Sequence, residues 1–286
     1  MGTIYMKRAV ITGPTGSIGI ALINELEANG IEVVAVVRPG SKRADRIKES
    51  SLVKCVKCDL SKLDKLPELI PDGADVFYHF GWDGTFGDSR NNMKGQNLNV
   101  KYALDAVEAA SKLGCKTFVG AGSQAEYGRF EGKLNGSTPT FPENGYGIAK
   151  LCAGQMTRIM CQQKGIKHIW TRILSIYGPY DGEKTMVMST IDRLLKGEVP
   201  SCTKGEQMWD FLYSKDAALA MRLLGEKGID GKIYCIGSGQ ARPLKEYINI
   251  MGESIDSTIQ IGFGDIPYSP NPVSYTHLRA HETEAD

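Results

Sequence analysis

Tyr146 and Lys150 stand four residues apart, which puts a phenol and an ammonium one turn apart on one face of a helix. A tyrosine hydroxyl has an ordinary pKa of about 10, so it exchanges protons near neutrality only where a neighbouring cation favours phenolate. Lys150 is placed to be that cation. Spacing alone is weak: with 12 tyrosines in the chain, about one such pair is expected by chance. A second pair, Tyr180 and Lys184, spans Asp181-Gly182 just after Gly178-Pro179, where a helix is disfavoured, and we read it as a coincidence. Ser123 singles out the first pair. It ends an apolar run, at the edge where open parallel sheets bind ligands, and its hydroxyl would bind a substrate oxygen and share the proton movement.

Near the N-terminus, Thr12-Gly13-Pro14-Thr15-Gly16-Ser17-Ile18-Gly19 spaces three glycines between a strand and a helix. Glycine permits the tight turn and close backbone approach, and the helix start offers free N–H groups to a pyrophosphate. Thr12, Gly13, Gly16, Ser17, Ile18 and Gly19 are therefore expected to bind a dinucleotide. The next strand ends in Arg38 rather than in an acidic residue. A guanidinium suits a 2′-phosphate, which favours NADP, with NAD possible. Asp59 and Leu60, after the third strand, are placed to meet the adenine, although Asp59 could equally begin a turn.

These residues need a scaffold of alternating strands and helices, the pattern of a doubly wound parallel sheet. Apolar runs predict strands over 8–12, 32–37, 52–57, 75–80, 116–121 and 168–173. Helical spacing of Ile18, Leu22, Ile23 and Leu26 predicts a helix closed by Gly30. Further helices are expected over 97–113, lined by Leu98, Tyr102, Leu104, Val107 and Ala110, and over 146–164. Beyond Gly178-Pro179 the pattern shortens into a smaller cap around a helix at 185–196, with Met186 and Met188 in its core. The expected organisation is α/β: a Rossmann-like dinucleotide domain over 1–177 and a substrate-binding cap over 178–272, with some interleaving. From Val273 the chain reads VSYTHLRAHET, which resembles a translated sequencing adapter, so 273–286 is expected to be non-native and the natural chain to continue past Pro272.

A net charge of +1 without a basic run gives no support to nucleic acid, and no span of 18 apolar residues suggests a membrane helix. Seven cysteines, an odd number in apolar contexts, fit a reducing compartment and a cytoplasmic location. Cys55 and Cys58 lack a second pair and read as core, so no metal site is expected. His79 reads as a hydrogen-bonded core residue beside the cofactor.

Taken together, TGPTGSIG (12–19), His79-Phe80-Gly81-Trp82, Asn99-Val100, GSQAEYG (122–128), YGIAK (146–150), RILSIYGP (172–179) and WDFLYSKDAA (209–218) carry a clear likeness. From Met6 to about Pro272 the chain resembles the extended short-chain dehydrogenase/reductases, the family of nucleotide-sugar epimerases, dehydratases and reductases. The resemblance implies that Ser123, Tyr146 and Lys150 are catalytic and that Phe80, Gly81 and Trp82 flank the cofactor. It also implies that Asn99 orders the site and that the helices at 97–113 and 146–164 form a homodimer's four-helix bundle. Some positions depart from the family. Dehydratases carry Asp and Glu after the catalytic hydroxyl, and here stand Gln124 and Ala125, so water elimination loses its acid/base pair. Ser175 and Trp209 replace the usual Asn and Arg that contact a nucleotide diphosphate, leaving Arg242 to contribute charge and Trp209 to stack. The expectation is NADPH-dependent reduction of a nucleotide-linked 4-keto sugar. A nucleotide-sugar 4-epimerase, a reductase of a non-sugar ketone and a non-catalytic NADP sensor are the alternatives.

Overall fold

The computed structural model describes residues 5–130, 132–265 and 267. The adapter-like segment and Pro272 lie outside the described residues. Five strands of the N-terminal half, β1 (Arg8–Thr12), β2 (Glu32–Val37), β3 (Val53–Lys57), β4 (Val76–His79) and β5 (Thr117–Ser123), are joined by β6 (Lys167–Ile173) in one sheet. Except in the edge strand β3, their burial is nearly continuous rather than alternating, because helices cover both faces. Three helices connect them, α1 (Ser17–Ala28), α3 (Met93–Lys112) and α4 (Gly145–Lys164), together with the single turn α2 (Leu66–Leu69).

The later elements are β7 (Ser175–Tyr177), α5 (Met186–Leu195), β8 (Met208–Trp209), β9 (Phe211–Tyr213), α6 (Ser214–Lys227), β10 (Ile233–Ile236), β11 (Arg242–Pro243) and α7 (Leu244–Ile255). β10 completes a seven-stranded parallel sheet in the order β10-β6-β5-β4-β1-β2-β3. Thus a strand from beyond residue 177 joins the main sheet, and α6 packs on α1 across its face. The order reverses between β1 and β4, so the loops after these strands diverge and leave a crevice at the sheet's C-terminal edge.

Boundaries shift where side chains decide them. α3 begins four residues before the expected Asn97, because the Asn92 side chain accepts a hydrogen bond from Gly95 N at 3.1 Å and caps the helix there. Its buried face is also rotated: Ala103, Ala106, Val107 and Ala110 are covered, while Leu98 is exposed. In α5 the core positions are Val187, Thr190 and Leu194, and the methionines expected there, Met186 and Met188, are only half-buried. Gly30 follows α1 with a positive φ of 72°, as a helix-closing glycine should.

Candidate active site in the sheet crevice

Thr12, at the end of β1, is fully buried, and its hydroxyl lies 2.9 Å from His79 Nδ1 while accepting Gly81 N at 3.2 Å. That contact ties the glycine loop to the loop after β4. Gly13 closes the turn with φ 68°, and a Cβ there would sit 2.6 Å from Gly81 N. Only glycine fits. Gly16 precedes α1 with open space where a Cβ would be, no side chain caps the helix, and its first turn holds no acidic residue. Ser17 Oγ is buried without a hydrogen-bond partner. An uncapped helix start, an open glycine and an orphaned hydroxyl fit the pyrophosphate of a dinucleotide.

The glycine loop forms one wall of a cleft of about 760 Å³ that also contains Phe80, Gly81, Trp82, Ser123, Tyr146 and Lys150. β5 delivers Ser123 to the cleft, and α4 delivers Tyr146 and Lys150 one turn apart, its start fixed by Asn144 accepting Gly147 N at 2.8 Å. The Tyr146 hydroxyl shares a hydrogen bond with the Ser123 side chain. Burial raises the phenol's pKa, with the Ser123 contact and the nearby Arg90 opposing that rise. Lys150 is almost fully buried. Its Nζ donates to Ala121 O at 2.7 Å and lies 3.8 Å from the Trp82 ring centroid, and burial pulls the ammonium down to about 7. His79, buried beside it, is held down to about 3 and stays neutral, a core residue as expected.

Other expected residues stand elsewhere. Arg38 is exposed at the end of β2 and does not line the cleft, where Arg43 and Arg46 do. Asp59 also stays outside, where it caps a turn by accepting Ser61 N at 2.9 Å. Leu60 packs its methyls toward Gly81 instead of facing the cleft. Asn99 accepts Asp83 N at 2.9 Å and donates to Asp83 O at 2.8 Å, which orders the loop after β4 from behind. Trp209 Nε1 donates to Ser175 Oγ at 2.7 Å, so these two are engaged with each other, and Arg242 is exposed opposite Trp209 in the β8–β11 ladder. None of these three lines the cleft.

Tyr180 and Lys184 form no helix, as expected, yet both line the cleft. Tyr180 has a positive φ of 65°. Arg46 holds it, with the guanidinium 5.3 Å from the ring centroid and Nη1 donating to Tyr180 O at 3.4 Å and to Thr15 O at 3.2 Å. Sequence reasoning missed Arg46, and it missed Arg90, whose guanidinium lies 4.7 Å from the Tyr146 ring centroid. The basic cluster after β2 was a usable signal for Arg46. Nothing local marked Arg90. Glu126, three residues after Ser123, is buried with Arg172 at 2.9 Å and Trp170 Nε1 at 3.0 Å, so it is structural and not a stand-in for the missing acid/base pair.

A seven-stranded parallel sheet with a glycine-loop crevice defines a Rossmann-type dinucleotide-binding fold. A sequence profile of the NAD dependent epimerase/dehydratase family matches residues 9–237, and the chain belongs to that family. One relative is the dTDP-6-deoxy-L-talose 4-dehydrogenase (NAD(+)) of Aggregatibacter actinomycetemcomitans, 28% identical and covering 82% of this chain and 86% of that protein. Another is a trifunctional UDP-glucose 4,6-dehydratase, 3,5-epimerase and UDP-4-keto-L-rhamnose-reductase of Arabidopsis thaliana. It is 26% identical over 86% of this chain, which spans only 39% of that protein. Among solved structures, the UDP-glucose 4-epimerase of Thermotoga maritima superposes with a TM-score of 0.81 at 22% identity, covering 95% of this chain and 89% of that one. That likeness establishes the fold. Among the described residues, no helix is long and apolar enough to cross a membrane.

Proposed function

We propose that the chain is an NADPH-dependent reductase of a nucleotide-linked 4-keto sugar, with Ser123, Tyr146 and Lys150 as its catalytic residues. The observation that carries this reading is the Ser123–Tyr146 pair lining the glycine-loop cleft with Lys150, with Gln124 and Ala125 directly after Ser123 and the nearby Glu126 paired with Arg172. Bound NADPH supplies a hydride at its nicotinamide. Ser123 orients the carbonyl oxygen through its hydroxyl, and Tyr146 gives that oxygen a proton. Lys150 lines the cofactor side of the same wall. Dehydration would also need an acid and a base at the neighbouring sugar carbons, which Gln124 and Ala125 do not provide. The names of two relatives, a 4-dehydrogenase and a 4-keto sugar reductase, support the same reaction class.

The cofactor reading rests on a different arginine from the one the strand pattern singles out. Arg43 and Arg46 line the cleft beyond the glycine loop, where a 2′-phosphate would find charge-assisted donors. The sugar nucleotide would extend toward the cap, and two copies would pair through α3 and α4. Incubation with NADPH and a nucleotide-linked 4-keto-6-deoxy sugar should consume reduced cofactor in step with a 4-hydroxy product. An unchanged reduced-nicotinamide absorbance, with substrate converted to an epimer, would overturn the reading in favour of an epimerase.

A further inference from the structure

Ser123 borders two cavities, and among the described residues it alone lines both. The first is the glycine-loop cleft. The second is a side pocket of about 50 Å³, lined by Arg90, Gln124 and Asn144 with the exposed Glu143 beside them. Arg90 comes from the turn at 87–91, held in place by Gln96 Nε2 donating to Ser89 O at 3.1 Å and Gly145 N donating to Asn91 Oδ1 at 3.0 Å. Its half-buried guanidinium lies 4.7 Å from the Tyr146 ring centroid, a contact that gives its N–H donors no acceptor. Among the described residues, neither the Arg90 guanidinium nor the half-buried Gln124 amide makes a hydrogen bond or an ion pair. The acids nearby are committed elsewhere, Glu143 to Arg129 at 3.0 Å and Glu126 to Arg172 at 2.9 Å.

We propose that this pocket is a carboxylate subsite, in which Arg90 and Gln124 bind an acid group carried on the sugar carbon next to the reacting carbonyl. The inference rests on the keto-sugar reading and narrows it to sugars of the hexuronic acid class. A ligand with its carbonyl oxygen on Ser123 stands at the boundary of the two cavities, and a substituent one carbon away reaches the second. The pocket has room for a carboxylate but not for another ring. A planar guanidinium matches two carboxylate oxygens with parallel charge-assisted bonds, and the Gln124 amide adds a neutral donor. The start of α4 favours the same charge: Asn144 caps it beside the pocket, and its first turn holds no acidic residue. A methyl group in that place would leave the Arg90 donors half-buried and unmatched. Burial already holds Arg90 below the ordinary arginine pKa, as expected of a cation without a counterion.

The test is isothermal titration calorimetry of the full chain with NADP present, comparing UDP-glucuronic acid with UDP-glucose and dTDP-glucuronic acid with dTDP-glucose. In at least one series the acid should bind about tenfold or more tighter than the hexose. Arg90→Met should reduce that preference to less than about threefold, whereas Arg90→Lys, which keeps the charge, should retain more of it. Equal affinities for acid and hexose, no binding of either acid, a preference undiminished in Arg90→Met, or an Arg90→Lys variant no better than Arg90→Met would overturn the proposal. Circular dichroism of each variant confirms the fold, and Arg90→Gln replaces Arg90→Met if that protein does not fold. The titration involves no turnover, so a failed reductase reading shows separately, as NADPH left unconsumed with a 4-keto sugar while the preference for the acid persists.

Discussion

At the scale of the residue, Tyr146 and Tyr180 face one cleft with different surroundings, and their single-atom variants should separate. Tyr146→Phe keeps the ring under Arg90 but removes the hydroxyl bonded to Ser123, so kcat should fall at least about 10²-fold with NADPH affinity retained. Tyr180→Phe keeps the ring beside Arg46 and the carbonyl that accepts its hydrogen bond, so steady-state kinetics should change by less than about threefold. Equal losses would place the reacting phenol wrongly. Cofactor choice should follow the cleft as well: a joint Arg43→Glu, Arg46→Glu change should weaken NADPH about tenfold or more relative to NADH. Arg38→Asp alone should alter the ratio little, as a fluorescence titration of both cofactors would show. The convergence of Ser123, Tyr146 and Lys150 on one cleft was legible in the sequence because their spacing lies within one helix and one strand end. Arg90 was not, since it reaches the site through the path of the turn at 87–91, and within the basic cluster after β2 the strand pattern singled out Arg38 although Arg46 is the one that lines the cleft.

At the scale of the element, β4, β5 and β6 carry a row of rings across the sheet. His79, Phe118, His168 and Trp170 stack with successive centroids 6.2, 6.1 and 6.0 Å apart. Both histidines are buried, and burial lowers His79 to about 3 and His168 to about 4. The unfolded chain binds a proton at each histidine near pH 6.5 while the folded chain does not, so stability is present above that value. It should fall as pH drops from about 6.5 toward 4, by up to about 1.4 kcal/mol per pH unit for each histidine. Urea unfolding across that range checks the slope, and His168→Gln should reduce it by about half. A flat profile would mean that both rings take up protons in the folded state as readily as in the unfolded chain. The strands matched their apolar runs closely because fully buried parallel strands write burial directly into sequence. The face of α3 did not, because the polar Gln96 and Asn99 are buried to hold the loop after β4 while Leu98 points outward.

At the scale of the whole molecule, that outward face carries a prediction about assembly. Ile148, Met156 and Ile159 form an exposed stripe at helical spacing on α4, near the exposed Leu98 on α3, and both helices pack together on the sheet. Pairing of two copies across this stripe would bury it. The chain should therefore run as a dimer in light-scattering chromatography, and Met156→Lys combined with Ile159→Lys should shift it to monomer. A monomeric wild type would leave the stripe unexplained. In the sequence, the periodicity changes from regular to broken after Gly178-Pro179, where the cap is expected to start. Some interleaving with the first domain was expected, but that β10 and α6 are the elements that return to the main sheet was not legible, because four- and fourteen-residue segments say nothing locally about which layer they join.

The central claim, net reduction at one carbonyl, is tested most directly by following the transferred hydrogen. NADPH carrying deuterium at its reactive position should place one deuterium at C4 of the product for each cofactor oxidised, and Tyr146→Phe should slow that incorporation about 10²-fold or more. Conversion of the sugar nucleotide with unlabelled product and no oxidised cofactor would contradict the account.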